Sequence, residues 1–391
     1  MRHPARFSLT VLLTAILLAA STVFAGDWGT GALMVIIERE SGSVVVVDSA
    51  QDHKVLGRIE GLGVLHHATI SFSRDARYAY VVSRDGLLSK IDLVKLTLAS
   101  QVKVGESTIG LAVSQDGKTI AVSNYRPGNI VMVADDTFKI IKTIDADKSK
   151  TVGLVDAPDN LFVVGLMDAN AVWVIDANDP AFPVIRKYED IGEKPYDGLL
   201  TPDGRFYVSG LFNSPWITMI DLWNIEKPTR VPLPKLETEG KEKPVLKIPH
   251  LEGWVVAGDE IFAPVIGGSG LAVVDKKTQK VSRTIKLNGF PVFSITAPDS
   301  RTIWVNYVMG DYHDTVDVID TRSKEVVKTL KPGPGIYHMQ FTPKGEAVYI
   351  SSNGSSKVLV YDTRTYKLIK EIPAKKPSGV FCSDRAHKFG L

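Results

Sequence analysis

Histidines are the side chains of this sequence best able to bind a metal ion or transfer a proton near neutral pH. The chain has eight in 391 residues. His66, His67, His250 and His338 fall at equivalent positions of a repeat, each just before a predicted strand, and His313 falls in a second loop set on the same predicted face. A single histidine is more often structural than a ligand. The prediction of a functional site therefore rests on their convergence after folding.

Arginine and aromatic side chains accompany these histidines in the same predicted loops. A guanidinium group offers a planar fork for carboxylates, and aromatic rings offer faces for stacking. The residues concerned are Arg84, Tyr125, Arg126, Tyr196, Trp216 and Tyr307. Asp197 adds a carboxyl group that can orient a pocket group or move a proton. This combination favours a large, flat, anionic ligand.

A repeated strand pattern positions these side chains. A short apolar strand rich in β-branched residues ends in aspartate eight times, at Asp48, Asp92, Asp135, Asp176, Asp221, Asp275, Asp320 and Asp362. Between the copies, Asp-Gly and Pro-Asp turns separate alternating apolar segments, as in LLTPDGRFYVSGL, and these predict hairpins. Each copy then supplies four strands, and eight copies predict an all-β, eight-bladed β-propeller. The repeated aspartates are predicted to bind backbone N–H groups of turns.

The two chain ends are predicted to complete one shared blade. Residues 32–38 precede the first copy without the two strands that normally start a blade, and residues 378–391 offer two strands with nothing after them. Pairing of the N- and C-terminal strands would close the ring and remove an open sheet edge. The longest interval between copies contains residues 228–249, rich in Pro, Lys and Glu, which are predicted to form an extended surface loop.

Residues 1–25 have the layout of a secretory signal peptide. Arg2 and Arg6 precede an uncharged apolar segment, and Val23 and Ala25 place small residues before a cleavage site at Gly26. Cleavage would leave residues 26–391 as a single propeller domain in the periplasm. An uncleaved membrane anchor is the alternative.

Cysteine and charge composition exclude several classes of protein. Cys382 is the only cysteine, so the chain has no internal disulfide and no lipid anchor is predicted after the apolar segment. Lys and Arg number 46 against 44 Asp and Glu, which does not favour nucleic acid binding. The chain has no C-x-x-C-H motif, so no covalent haem is predicted, and it has no Walker, G-x-S-x-G or H-E-x-x-H motif.

Two segments resemble a known family. GVLHHATISFSRDARYAYVVSRDGLLSKIDL, residues 63–93, resembles the opening blade of the haem-d1 domain of the denitrifiers' nitrite reductase. KPYDGLLTPDGRFYVSGLFNSPWITMIDLWN, residues 194–224, resembles another of its blades. The reductase's c-type haem domain has no counterpart here. The chain is most similar to the haem d1 biosynthesis proteins of the NirF type, over essentially the whole mature chain.

The resemblance implies a periplasmic protein of denitrifiers that binds haem d1 or dihydro-haem d1 at a late step of haem d1 biosynthesis. By position, His67 or His66 would ligate the iron. His67 is favoured because a residue that starts an inner strand projects into the channel, whereas a one-residue bulge would select His66. Tyr196 stands before Asp197 where the reductase carries a distal histidine, which puts nitrite chemistry in doubt. His250 lies where a second pocket histidine is expected.

Two functions from different classes follow from the resemblance. In the first, the protein is an enzyme that modifies a haem d1 precursor with Asp197, Tyr196 and His250. In the second, it is a carrier that delivers the tetrapyrrole to nitrite reductase or to another maturation protein. The ligand-binding residues in either case are His66, His67, Arg84, Arg126, Tyr125, Trp216, Tyr307 and His338. A periplasmic interaction propeller without a tetrapyrrole is a third interpretation. The sequence is compatible with a homodimer but contains no feature that decides it.

Overall fold

Eight four-stranded antiparallel sheets form the described part of the protein, which we analysed as a computed structural model. The structure describes residues 29–224, 228–234, 253–265, 269–307 and 310–388. The sheets are the blades of a β-propeller, numbered here 1 to 8 in chain order. The predicted eight-bladed architecture is confirmed.

The strands of blades 1 to 4 come first in the chain. They are β1 (Leu33–Glu38), β2 (Ser43–Asp48), β3 (Lys54–Ile59), β4 (Thr69–Phe72), β5 (Tyr78–Val82), β6 (Leu87–Asp92), β7 (Thr97–Lys103), β8 (Ser107–Val113), β9 (Thr119–Arg126), β10 (Asn129–Ala134), β11 (Ile140–Asp145), β12 (Thr151–Ala157), β13 (Leu161–Leu166), β14 (Ala171–Asp176) and β15 (Val184–Tyr188).

Blades 5 to 8 and two short 3₁₀ helices follow. These elements are β16 (Pro195–Leu200), β17 (Phe206–Leu211), β18 (Trp216–Asp221), β19 (Thr229–Pro232), β20 (Val255–Ala257), β21 (Glu260–Pro264), β22 (Gly270–Asp275), β23 (Lys280–Lys286), β24 (Phe293–Thr296), β25 (Thr302–Asn306), η1 (Gly310–Tyr312), β26 (Val316–Asp320), β27 (Val326–Leu330), β28 (Met339–Phe341), β29 (Ala347–Ser352), β30 (Lys357–Asp362), β31 (Leu368–Pro373), β32 (Pro377–Cys382) and η2 (Ser383–His387).

The innermost strand of each blade lines the centre of the ring; it is β32 in blade 1 and the first strand in chain order in blades 2 to 8. These inner strands contact one another from β4 through β8 and β12 to β16, and from β20 through β24 and β28 to β32, which returns to β4. The fourth strands lie at the rim, where most of their residues are exposed, as in β7 and β11. Apolar side chains of neighbouring blades pack between the sheets and form the core.

Aspartates at the ends of the repeated strands satisfy turn backbone groups, as predicted. Asp92 Oδ1 accepts hydrogen bonds from the backbone N–H groups of Val94 and Lys95, at 3.0 and 2.9 Å. Asp320 and Asp362 act in the same way in blades 7 and 8. These carboxylates stabilise turns, and the geometry assigns them no chemistry.

Ring closure takes one strand from the C-terminal end. In blade 1, β1 pairs with β2 on one side and with β32 on the other. The prediction of two C-terminal strands was wrong, because β1, β2 and β3 already supply three strands and leave one vacant position. The chain after Cys382 turns instead into η2, where Ser383 Oγ accepts a hydrogen bond from the backbone N–H of Leu33 at 3.1 Å.

The predicted surface loop is corrected in part. Residues 228–249 were expected to lack strands, but Thr229–Pro232 is β19, the fourth strand of blade 5. Residues 235–249 of that loop, His250 and the predicted signal peptide lie outside the described residues. No helix within the described ranges is long and apolar enough to cross a membrane.

Candidate functional site

Three consecutive inner strands carry β-bulges, and the bulge in β16 contains the predicted residues Tyr196 and Asp197. The pairing register shifts between Thr108 and Gly110 in β8, between Val152 and Val155 in β12, and between Pro195 and Gly198 in β16. A bulge bends its strand and re-aims side chains, and such bulges are frequent beside active sites. Residues of these bulges line a small cavity of about 20 Å³ in the centre of the ring, together with Thr69 of β4.

A buried tyrosine fixes two of these bulges relative to each other. The Tyr207 hydroxyl donates a hydrogen bond to the Gly153 carbonyl oxygen at 2.8 Å. Gly198 gives it room, because a Cβ atom there would lie 2.2 Å from the Tyr207 hydroxyl oxygen. Tyr207 is fully buried. It therefore holds β12 against β16 directly beside Asp197.

Asp197 is a desolvated carboxyl group in the central cavity. Its side chain keeps partial exposure, but the surrounding inner strands remove most of its hydration, and this burial raises its pKa well above the usual value. No side-chain hydrogen bond to Asp197 is present among the described residues. A carboxyl group of this kind keeps its proton to higher pH than an ordinary aspartic acid and suits proton transfer.

Tyr196 anchors an aromatic cluster next to Asp197. Its hydroxyl interacts electrostatically with that of Tyr125, and its ring lies 4.4 Å from the Phe212 ring, measured between centroids. Burial raises the pKa of Tyr196 far above its usual value, and the nearby oxygens of Tyr125 and Asp197 raise it further. Arg84 lies over the Tyr125 ring, with 4.8 Å between its Cζ atom and the ring centroid. The structure thus brings together four of the predicted residues, from blades 2, 3 and 5.

His67 and His66 have different environments. His67 is half-buried, whereas His66 is exposed. Burial, then the positive charges of Arg84 and Arg39, lower the pKa of His67 to about 4. The His67 imidazole is therefore neutral at physiological pH, which is the form that binds a metal ion. These surroundings favour His67 over His66 as a ligand, and the assignment stays a prediction.

The loop before His66 is held by Asp85. Burial alone would raise the pKa of Asp85, but hydrogen bonds from Ser83 Oγ and the Val64 backbone N–H bring it below its usual value. Gly63 adopts a φ of +79°, and a Cβ atom there would lie 2.7 Å from Asp85 Oδ1. Glycine is required at this position for both reasons.

Sequence reasoning missed Arg39. Its Cζ atom lies 5.2 Å from the centroid of the Tyr337 ring, and its charge acts on His67. His67 therefore lies between two arginine–tyrosine pairs, Arg39 with Tyr337 and Arg84 with Tyr125. Arg39 follows β1, and Arg84 follows β5. Counted from the centre of the ring, each of these is the second strand of its blade. Aligning the first blade with the repeat would have identified Arg39 as the counterpart of Arg84.

The other predicted ligand-binding residues lie away from the His67 cluster. Trp216 Nε1 donates to the Ile191 carbonyl at 3.1 Å, and the Tyr307 hydroxyl donates to Asp317 Oδ2 at 2.5 Å. Arg126 is exposed at the end of β9, and His313 is exposed after η1. These contacts do not join the residues to the His67 cluster, and their predicted roles are untested.

His338 is packed rather than open. Its ring lies between those of Phe293 and Phe381, with centroid distances of 4.7 and 4.9 Å, and only 2% of the residue is exposed. Its Nδ1 atom accepts a hydrogen bond from the Val380 backbone N–H at 3.4 Å. This environment fits a role in packing around the channel.

The side chains around His67 have the chemistry to hold an iron tetrapyrrole. No group of three His, Cys, Asp or Glu side chains that could hold a metal ion occurs in the described segments. An iron tetrapyrrole needs only an axial ligand from the protein, and a neutral imidazole is suitable. His67 offers that nitrogen, and Arg39 and Arg84 offer forks for ring carboxylates.

Comparison with known proteins identifies the family. The cytochrome D1 heme domain family matches residues 28–386. The chain belongs to this family. It is 42% identical over 370 residues to Protein NirF of Pseudomonas aeruginosa, covering 93% of this chain and 94% of that protein. It is 28% identical over 363 residues to the dihydro-heme d1 dehydrogenase of the same organism, covering 89% and 70% of the two chains.

A solved structure supports the fold of this cytochrome D1 heme domain protein. The dihydro-heme d1 dehydrogenase NirN in complex with DHE superimposes with a TM-score of 0.77 at 24% identity, covering 92% of this chain and 77% of that chain. At this identity the likeness concerns the propeller architecture.

Proposed function

We propose that the protein binds a late iron-tetrapyrrole intermediate of haem d1 biosynthesis, such as dihydro-haem d1, and acts on it. The observation that carries this proposal is the neutral His67 imidazole between two arginine–tyrosine pairs in a cytochrome D1 heme domain chain. The relatives NirF and the dihydro-heme d1 dehydrogenase support the same assignment.

Each residue of the cluster has a distinct role in this proposal. His67 would supply a nitrogen ligand to the iron, and Arg39 and Arg84 would bind carboxylates of the tetrapyrrole. The Tyr125 and Tyr337 rings hold the two guanidinium groups over their faces and limit their rotation. When bound, the tetrapyrrole supplies the iron and the conjugated ring system at which electrons are moved.

Asp197 and Tyr196 distinguish an enzyme from a carrier. A carrier needs contacts that retain its ligand, but it does not need a desolvated carboxyl group. The raised pKa of Asp197 suits it to donate or accept a proton, and Tyr196 and Tyr125 provide two neighbouring hydroxyls beside it. We therefore favour chemistry on the tetrapyrrole, with His250 as a further candidate for this group.

An anaerobic absorbance titration with haem d1 and dihydro-haem d1 tests binding. We expect saturable spectral shifts for the native protein and for His66→Ala, and loss of the iron-ligand signature for His67→Ala. Absence of a shift with both compounds would contradict the tetrapyrrole assignment. It would leave an interaction propeller as the surviving interpretation.

Conversion of the bound precursor tests the enzymatic role. Asp197→Asn keeps the shape of the side chain but cannot exchange a proton. We expect it to bind the precursor normally and to lose maturation of haem d1 in vivo. Parallel loss of binding and maturation would favour a carrier that delivers haem d1 to nitrite reductase or another maturation protein.

Export to the periplasm is a further part of the proposal. It rests on the signal-peptide layout of residues 1–25 and on the single cysteine. Fractionation of cells with N-terminal sequencing of the protein tests it, with Gly26 as the expected first residue. Retention of the apolar segment in the membrane fraction would support the anchor alternative.

A further inference from the structure

One backbone contact recurs on the face of the propeller that carries His67. In blades 1, 2, 4 and 5, a residue just after the second strand from the centre donates its backbone N–H to the segment before the innermost strand. The donors are Arg39, Arg84, Met167 and Phe212, and the acceptors are the carbonyl oxygens of Lys376, Val64, Lys150 and Lys194, at 3.3, 2.7, 2.8 and 3.1 Å. The four donors therefore occupy equivalent positions around the channel.

The side chains at these equivalent positions differ across the ring. Blades 1 and 2 place Arg39 and Arg84 there, whereas blades 4 and 5 place Met167 and Phe212. Blade 5 lies across the eight-bladed ring from blade 1. A flat molecule that spans the channel therefore meets guanidinium groups on one side and apolar side chains on the other.

Phe212 is the accessible aromatic ring of the apolar side. Met167 and Tyr196 are only 8% and 7% exposed and pack with Val152. Phe212 and Tyr125 pack against this buried group and stay partly exposed. The buried side chains thus support the Phe212 ring, and part of its surface is available for contact.

The apolar cluster continues directly from the residues around His67. Arg84 lies over the Tyr125 ring, the Tyr125 and Tyr196 hydroxyls are neighbours, and the Tyr196 ring meets that of Phe212. A guanidinium group and three aromatic rings thus follow one another without interruption. This sequence of groups matches a ligand that combines carboxylates with a flat conjugated ring.

We propose that Phe212 contacts the conjugated ring of the bound tetrapyrrole and helps to select a full macrocycle over a smaller carboxylate. Arg39 and Arg84 bind the carboxylates, and Phe212 packs against the ring on the other side of the channel. The assignment of Phe212 rests on the proposed function. It adds a ligand contact that the histidine and arginine positions do not reveal.

Substitution of Phe212 tests this contact. Phe212→Ala should weaken dihydro-haem d1 binding about tenfold, whereas Phe212→Tyr keeps the ring and should stay within about threefold of the native affinity. Trp223→Ala is the control. Trp223 is an exposed aromatic residue of the same blade, in the turn between β18 and β19, and its substitution should leave the affinity unchanged.

The salt dependence of binding separates an apolar contact from a disturbance of the arginines. Salt screens exposed charges, but it does not screen the packing of apolar surface. Arg84→Gln should therefore make the affinity less sensitive to sodium chloride between about 0.05 and 0.5 M. Phe212→Ala should lower the affinity by the same factor at both concentrations.

Met167 reports the contact while Phe212 is left intact. The protein is labelled with methionine carrying ¹³C in the methyl group, and the Met167 resonance is assigned with Met167→Leu. Saturating dihydro-haem d1 should change the Met167 resonance more than that of Met219, which is buried in the core beside blade 5. An unchanged Met167 resonance would overturn the inference even if Phe212→Ala does not fold.

Three further outcomes would overturn it. If the native protein binds no tetrapyrrole, the proposed function fails as well. If Phe212→Ala binds dihydro-haem d1 as tightly as the native protein, Phe212 makes no contact, while the proposed function stands. If Phe212→Ala binds normally but loses maturation of haem d1 in vivo, the exposed ring is a contact for a partner protein.

Discussion

His67 and His338 lie just before the inner strands of blades 2 and 8, two residues apart in the repeat register, and the fold gives them opposite surroundings. His67 is half-buried between two guanidinium groups that lower its pKa to about 4. His338 is enclosed between Phe293 and Phe381, and a backbone N–H occupies its Nδ1 atom. The repeat positions the backbone of both residues. The neighbours from other blades decide which imidazole is accessible to a ligand.

Removing the packed histidine should have the largest effect on stability. We expect His338→Ala to lower the free energy of unfolding by roughly 3 kcal/mol, since it leaves a cavity between two aromatic rings. His338→Phe keeps an aromatic ring there and should recover most of this loss. Urea unfolding measures both. A stable His338→Ala variant that no longer binds the tetrapyrrole would reverse the comparison and make His338 a ligand contact.

Removing the accessible histidine should affect binding instead. We expect His67→Ala to weaken tetrapyrrole affinity about 100-fold, or about 2.7 kcal/mol, while the free energy of unfolding changes by less than about 0.5 kcal/mol. His66→Ala is the matched control and should change neither quantity. If His66→Ala gives the larger loss of affinity, the neighbouring residue is the ligand.

The pH dependence of affinity sharpens the assignment of His67. Because its pKa is about 4, the imidazole stays neutral from pH 7.5 to 5.5. Tetrapyrrole affinity should then change less than about twofold over this range. A ligand histidine with an ordinary pKa would be mostly protonated at pH 5.5, and the affinity would be about tenfold lower there. Titrations at several pH values measure this difference. A tenfold decline by pH 5.5 would show that His67 has an ordinary pKa or is not the ligand.

Asp197 should make the folded state less stable as pH rises. Its pKa is higher in the folded protein than in the unfolded chain, so the unfolded chain loses its proton first, and stability declines above pH 4. Asp197→Asn removes this decline. The stability of the native protein relative to the variant should therefore fall between pH 4 and pH 8 in urea unfolding. A pH-independent difference would mean that the carboxyl group is well hydrated.

Of the substitutions predicted here, Tyr207→Phe should have the smallest effect. Tyr207→Phe removes the hydrogen bond to the Gly153 carbonyl and should lower the free energy of unfolding by about 1 kcal/mol. Phe162→Leu, in the adjacent blade core, is a control that perturbs packing without touching the bulges. If Tyr207→Phe also shifts the pH dependence assigned to Asp197 and the control does not, the hydroxyl positions that carboxyl group.

The propeller was predictable because its signals are local and repeated. Strands ending in aspartate and Asp-Gly or Pro-Asp turns recur in each blade, and eight copies require a closed ring. The error at the C-terminal end concerned how many strands the ends contribute. That number depends on pairing between Leu33–Glu38 and Pro377–Cys382, which lie at opposite ends of the chain.

The candidate site was predictable only in part. The repeat register placed His67, Arg84, Tyr125, Tyr196 and Asp197 on one face, and the structure brings these residues together. Trp216 and Tyr307 were predicted in the same way, but Trp216 bonds to the segment joining blades 4 and 5, and Tyr307 bonds within blade 7. No local pattern reveals whether a side chain at a loop position points to the channel or to the next sheet.

The sequence by itself determined the number of blades, the turns that end their strands and the face on which site residues collect, because each depends on short segments that repeat. Only the tertiary structure decided the neutral state of His67, the desolvation of Asp197 and the packing of His338. These properties come from side chains of the same blade and of neighbouring blades that meet around the channel, and their distances and charges are set by the packing of the blades in the ring.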